Sequence, residues 1–172
     1  MAAPSPLPDR PAGASPASAE APTRAWVARP HVPGARPADG PPPDDRPRVL
    51  IADDDSVTVR VLRHRFERDG LAVAAVSDGI DALAALRAAP PTVALVNVAL
   101  AGVDGFEVLR RVRAGDAGAP DLPLALMGWA GNDALIVRGF ALDADDFIVR
   151  PFSLAEVSAR IRRLVRRAPH AR

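Results

Sequence analysis

The sequence predicts an α/β fold: a doubly wound, five-stranded parallel sheet with helices on both faces. Three observations predict it. From residue 48 onward, short apolar runs alternate with stripes at helical spacing. Five such strand-then-helix units follow one another in about 120 residues, which is the signature of a parallel sheet built from crossover units. The third run, Thr92 to Val98, is almost wholly apolar, as a strand covered on both faces must be. Right-handed crossovers leave the doubly wound arrangement as the main option.

The elements follow in order. Val49 to Ala52 is a short apolar strand that ends in acids. Ser56 to Asp69 carries Val59, Leu62 and Phe66 at helical spacing, and Gly70 stops it. Leu71 to Val76 is the second strand. Ile80, Leu83 and Leu86 mark a second helix, ended by Pro90-Pro91. After the third strand, Phe106, Leu109 and Val112 mark the third helix. Leu124 to Met127 is the fourth strand, residues 132 to 142 the fourth helix, and Phe147 to Val149 the fifth strand. The last helix starts at Ser153, with Glu156 three residues on as a capping box, and Leu154, Val157, Ile161 and Leu164 form its apolar stripe. The leucine stripes, with Phe66, Phe106, Phe140 and Phe152, are the expected core.

Residues 1–47 read differently. They hold 13 of the 19 prolines and show neither helical nor strand periodicity. Such a segment buries too little apolar surface to offset its chain entropy, so it is expected to be a disordered tail. Its single aromatic island is Ala25-Trp26-Val27. Residues 48–168 form the folded domain and 169–172 a short C-terminal tail.

Composition narrows the function classes. The chain has no cysteine, which excludes disulfides and thiolate chemistry. The net charge is +1, and all 22 Lys and Arg residues are arginine; this balance demands neither a nucleic acid nor an acidic membrane surface. No apolar run reaches a membrane span and no leader pattern opens the chain, so the expected location is cytoplasmic. No glycine-rich phosphate loop follows the first strand. His31, His64 and His170 are scattered and suggest no metal site. Arg160, Arg162, Arg163, Arg166 and Arg167 make the last helix basic, which suits a solvated face near a helix C-terminus.

In doubly wound folds the functional crevice lies at the carboxyl ends of the strands. The first strand there gives Asp53-Asp54-Asp55, the third Asn97, the fourth Gly128-Trp129, and the fifth Arg150-Pro151-Phe152. Taken with the runs VLIADDDSVTVRVL, VALVNVALAGVDGFEVLRRVR and DADDFIVRPFSLAEVSARIRRLVRR, this set resembles the receiver domains of two-component response regulators, a flavodoxin-like (βα)5 fold. The resemblance covers nearly everything after residue 47. The last run is especially similar to receivers that precede winged-helix DNA-binding domains.

The resemblance implies phosphoryl transfer from a histidine kinase to an aspartate. Two acids on the first strand hold Mg²⁺, a carboxylate on the third is the nucleophile, a hydroxyl on the fourth relays the phosphoryl group, and a lysine on the fifth neutralises it. Carried onto this chain, Asp53 and Asp54 match the metal-site acids. Asn97 stands at the phosphoacceptor position, and a neutral amide cannot form the acyl phosphate. Gly128 stands where the relay hydroxyl is implied, Trp129 lies at the pocket mouth, and Phe147 is the switch aromatic. Arg150 replaces the lysine with a planar fork. A contrary reading is that Asp53, Asp54 and the Ala99 carbonyl still bind a divalent ion weakly.

The expectation is therefore a receiver module that is not phosphorylated and is not an enzyme. Its pocket is closed by a bidentate pair between Arg150 and Asp53 or Asp54, it requires no cofactor, and its Mg²⁺ binding is weak or absent. With no output domain following, output would pass through protein contacts with a histidine kinase or another signalling protein. The face of the fourth helix, fifth strand and fifth helix offers Arg138, Asp145, Asp146, Glu156 and Arg160 for a homodimer seam. Direct nucleic-acid binding is not expected. The alternatives are a working phosphoreceiver with an unusual acceptor such as Asp53 or Asp54, and a small flavodoxin-like enzyme, which the absence of any catalytic Ser, Cys or His at a strand end disfavours.

Overall fold

The computed structural model describes residues 45–131 and 133–169. The expected N-terminal tail therefore lies outside the described residues except for 45–47, as do Trp26, His31 and His170. The elements run β1 (Arg48–Ala52), α1 (Ser56–Arg68), β2 (Ala72–Val76), α2 (Gly79–Ala88), β3 (Val93–Asn97), α3 (Gly105–Arg113), β4 (Leu124–Trp129), α4 (Asp133–Ala141), β5 (Asp146–Arg150) and α5 (Leu154–Arg167). The five strands form one parallel sheet in the order β2-β1-β3-β4-β5.

Period-two alternation divides each strand between two cores. Leu50, Val96 and Leu126 face a cluster that includes Leu83 and Leu86 of α2 and Phe106 and Leu109 of α3, with Leu135 and Ile136 of α4 packed against it. Val49, Ile51, Leu95 and Met127 face Leu62 and Phe66 of α1 and Val157, Ile161 and Leu164 of α5. Helices α1 and α5 thus cover one face and α2, α3 and α4 the other, which makes the sheet doubly wound. A second tie joins α1 to α5: the Ser158 hydroxyl donates to Asp69 at 2.5 Å, and Arg65 Nε donates to the same oxygen at 3.0 Å.

Among the described residues, four helix starts carry a side-chain cap. Asp55, Asp78, Asp104 and Ser153 accept from the backbone N–H of Val57, Asp81, Glu107 and Glu156. Each cap satisfies one of the donors that a helix start leaves unpaired. Every helix begins where a strand has ended, so the caps gather along the same edge of the sheet as the site residues. Only half of the expected capping box at α5 forms, because the Glu156 carboxylate pairs with Arg160 instead.

Other expectations need correction. Strand β4 runs two residues past Met127, to Trp129, which pairs with Arg150 of β5. Phe140 is not core but 49% exposed, and Ile80 is 62% exposed. Gly139 takes the inward position of α4: a Cβ there would stand 3.0 Å from the Phe147 ring, so that ring fills the space and Phe140 turns out. Helix α4 is apolar on nearly every side, and its spacing cannot set which face turns in. Phe152 is half-buried and packs against the edge of the α1–α5 core.

Candidate functional site

The carboxyl ends of β1, β3 and β5 bring Asp53, Asp54, Asn97 and Arg150 into one polar cluster. Asp53, Asn97 and Arg150 are 2%, 6% and 6% exposed, so their charges and dipoles interact with little water between them. The three consecutive acids take three roles. Asp55 is the cap of α1, and hydrogen bonds from the Thr58 hydroxyl and the Val57 N–H hold its carboxyl below the ordinary range. Asp54 is exposed. Asp53 is buried with both oxygens engaged: Oδ1 accepts from Asp55 N and Asn97 Nδ2, each at 3.2 Å, and Oδ2 accepts from Arg150 Nη2.

Asn97 sits at the last position of β3 and bridges the acids. Its Nδ2 also donates to Asp54 Oδ1 at 3.3 Å, while its Oδ1 accepts from Ala99 N at 3.2 Å. An amide satisfies this arrangement because one end donates and the other accepts. Burial pushes the Asp53 carboxyl above its ordinary value; the Asp55 N–H, the Arg150 charge and the Asn97 amide pull it down without cancelling that effect.

Arg150 departs from the expected bidentate geometry. Of the two acids it pairs with Asp53 alone, through Nη2, which also lies 3.5 Å from the Met127 sulfur. Its buried Nε has no hydrogen-bond partner among the described residues. Two rings flank the guanidinium instead: its carbon lies 5.7 Å from the Trp129 ring centre and 5.9 Å from that of Phe152. Trp129 is 66% exposed at the mouth of the cluster. Phe152 packs against the core as expected and also reaches Arg150, which its position two residues after the fifth strand end could have signalled. The Arg150–Pro151 peptide is cis.

Phe147 lies inward, 6% exposed, in a socket made by two glycines. A Cβ on Gly128 would stand 3.1 Å from both Phe147 Cζ and Val98 Cγ2, and one on Gly139 3.0 Å from Phe147 Cδ2. The ring therefore occupies space that a side chain at either position would contest.

The charges offered for a homodimer seam pair within the chain. Arg113 holds Asp145 at 2.7 Å. Arg160 and Arg163 hold the buried Asp146, and Arg160 also pairs with Glu156. Arg138 stacks over the Phe106 ring at 4.1 Å. Val137 and Phe140 remain exposed on α4. His64 stands on the opposite face of the sheet, beside Arg60, Val61 and Leu154 and away from the cluster. Among the described residues no helix is long and apolar enough to cross a membrane.

Residues 49–162 match the family model described as the response regulator receiver domain. The transcriptional regulatory protein CseB of Streptomyces coelicolor is 36% identical over 127 residues, covering 74% of this chain and 53% of its own. The transcriptional regulatory protein ResD of Bacillus subtilis is 35% identical over 121 residues, covering 70% of this chain and 49% of its own. The chain thus spans about half the length of these relatives. Among solved structures, the Francisella response regulator 1452 receiver domain aligns over 71% of this chain and 98% of its own, with a TM-score of 0.66 at 24% identity, a likeness of fold. The receiver domain of NtrX from Brucella abortus gives 0.64 over 69% of this chain and 98% of its own, at 23% identity.

Proposed function

Because the chain belongs to the response regulator receiver domain family, we propose that it is a signalling module that acts through protein contacts without being phosphorylated. The observation that carries this reading is the Asn97 amide, tied as donor to Asp53 and Asp54 and as acceptor to Ala99 N. An amide there offers no carboxylate to attack a phosphoryl donor. Two further features support it. Arg150 engages Asp53, and Phe147 fills the space beside Gly128, so the pocket and the α4 side already hold one packed arrangement.

In this reading the chain is a non-enzymatic, cytoplasmic partner of a histidine kinase or another signalling protein, and the pseudo-receiver pocket needs no cofactor. A homodimer across α4, β5 and α5 would be apolar, centred on Val137 and Phe140, because the nearby ion pairs close within the chain.

The test is intact mass after incubation of the full chain with Mg²⁺ and acetyl phosphate, beside an Asn97→Asp/Arg150→Lys double variant. The natural chain is expected to keep its mass and the double variant to gain one phosphoryl group. A gain by the natural chain would establish an unusual acceptor such as Asp53 or Asp54 and overturn the reading. A folded double variant that stays unmodified would remove the assignment of Asn97 to the acceptor position.

A further inference from the structure

The receiver family implies a divalent cation at the acids of β1, and the donor chemistry here does not fit one. Magnesium takes about six oxygen ligands in near-ideal octahedral geometry. Both Asp53 oxygens already accept hydrogen bonds, and Asp54 Oδ1 accepts from the same Asn97 amide. The groups turned toward these oxygens are N–H donors and a guanidinium, where a metal site would present a further carboxylate. Among the described residues, no group of three His, Cys, Asp or Glu side chains could hold a metal ion.

We propose that Arg150 is the resident cation of this pocket, and that Trp129 and Phe152 are positioning residues that hold its guanidinium over Asp53 and so keep divalent metal ions out. This deepens the closed-pocket reading above and rests on it. The need for positioning follows from the hydrogen bonds. A guanidinium has five N–H donors in a rigid fork, and here Nη2 alone pairs with a carboxylate while the buried Nε has no partner among the described residues. Contacts through one nitrogen, to Asp53 and the Met127 sulfur, leave the plane free to swing about it.

The two rings, both within 6 Å of the guanidinium carbon, supply the missing constraint. Their faces attract the cation, and their bulk keeps water from the ion pair, which strengthens it. Trp129 belongs to neither core cluster and is mostly exposed, so core packing does not account for it. Contact with Arg150 does.

Without the indole, water reaches the guanidinium, the pair with Asp53 loosens, and the carboxylates of Asp53 and Asp54 become available to a hard cation. The experiment is a Mn²⁺ titration of the full chain, read as free Mn²⁺ by electron paramagnetic resonance. The variants are Trp129→Ala, Trp129→Phe and Trp129→Ala/Asp53→Asn, with circular dichroism to confirm folding. Because the indole is largely exposed, Trp129→Ala is expected to fold.

The natural chain and Trp129→Phe should show no saturation below millimolar metal. Trp129→Ala should bind at least ten-fold more tightly, and the added Asp53→Asn should abolish that gain. A purely structural role for Trp129 would not give tighter binding, nor rescue by another aromatic. Trp129→Ala binding no better than the natural chain overturns the proposal while leaving the Asn97 reading intact. A gain that survives Asp53→Asn places the metal elsewhere and also overturns it. Sub-millimolar binding by the natural chain overturns the closed-pocket reading as well.

Discussion

Arg150→Met is expected to lower stability by about 3 kcal/mol at neutral pH, read from urea midpoints at unchanged slope. The change removes the partner of a carboxylate that is 2% exposed. A buried charge stripped of its counter-ion costs more than the pair contributed, because the desolvation remains and the attraction does not. Asp53 keeps the Asp55 N–H and the Asn97 amide, which holds the loss to the lower end of the usual range.

The pH dependence has a definite sign. The Asp53 carboxyl lies above its ordinary value in the folded chain, so its protonated form favours folding. That contribution is fully present below the unfolded value and is lost as pH rises through the folded one. Removing Arg150 takes away a charge that lowers the folded value, which then rises further. The gap between variant and natural chain should therefore open with rising pH and close in acid. Adding Asp53→Asn should recover most of the loss at neutral pH, because no unpaired charge is left. A gap independent of pH would mean that lost packing, not Asp53, dominates.

Gly105→Ala is expected to cost at least as much, on the order of 3 kcal/mol, for a steric reason. The first residue of α3 lies against the end of β3, and a Cβ there would stand 2.3 Å from the Asn97 carbonyl oxygen and 2.9 Å from Val98 Cα. Both are backbone atoms, and no rotamer change relieves the clash. Either α3 lifts from the sheet or the strand end bends, and both displace Asn97. Gly70→Ala is the control: Gly70 has φ +84 with nothing within 4 Å, so the penalty there is conformational alone, about 1 kcal/mol. Thermal melts of the two variants separate crowding from backbone strain; equal losses would show that α3 yields without resistance.

The parts that could be read from the sequence were those set by period and punctuation. Strand β3 declared itself through five apolar-to-Asn residues with no polar interruption, and α5 through a stripe phased by Ser153. Helix α4 did not, because Leu135, Ile136, Val137 and Phe140 surround it and only contact with Phe147 decides that Gly139 faces inward. The cluster residues were identifiable as strand ends, but their partners were not. That Arg150 chooses Asp53 over Asp54 depends on Asp54 being the exposed one. The Glu156–Arg160 pair, four residues apart on one helix, was open to reading, but that Arg113 holds Asp145 and Arg160 holds Asp146 depends on how α3 and α5 pack on the sheet, which no spacing along the chain encodes.

The position of β3 has a kinetic consequence. It is flanked by β1 and β4, and Val93 to Val96 are wholly buried. Amide protons so placed exchange with solvent deuterium only when the whole sheet comes apart, whereas half-buried β2, at the edge, can open by itself. The strand that carries Asn97 therefore reports the lifetime of the entire domain. A partner that binds the folded chain would slow deuterium uptake there even from a contact site on the opposite face.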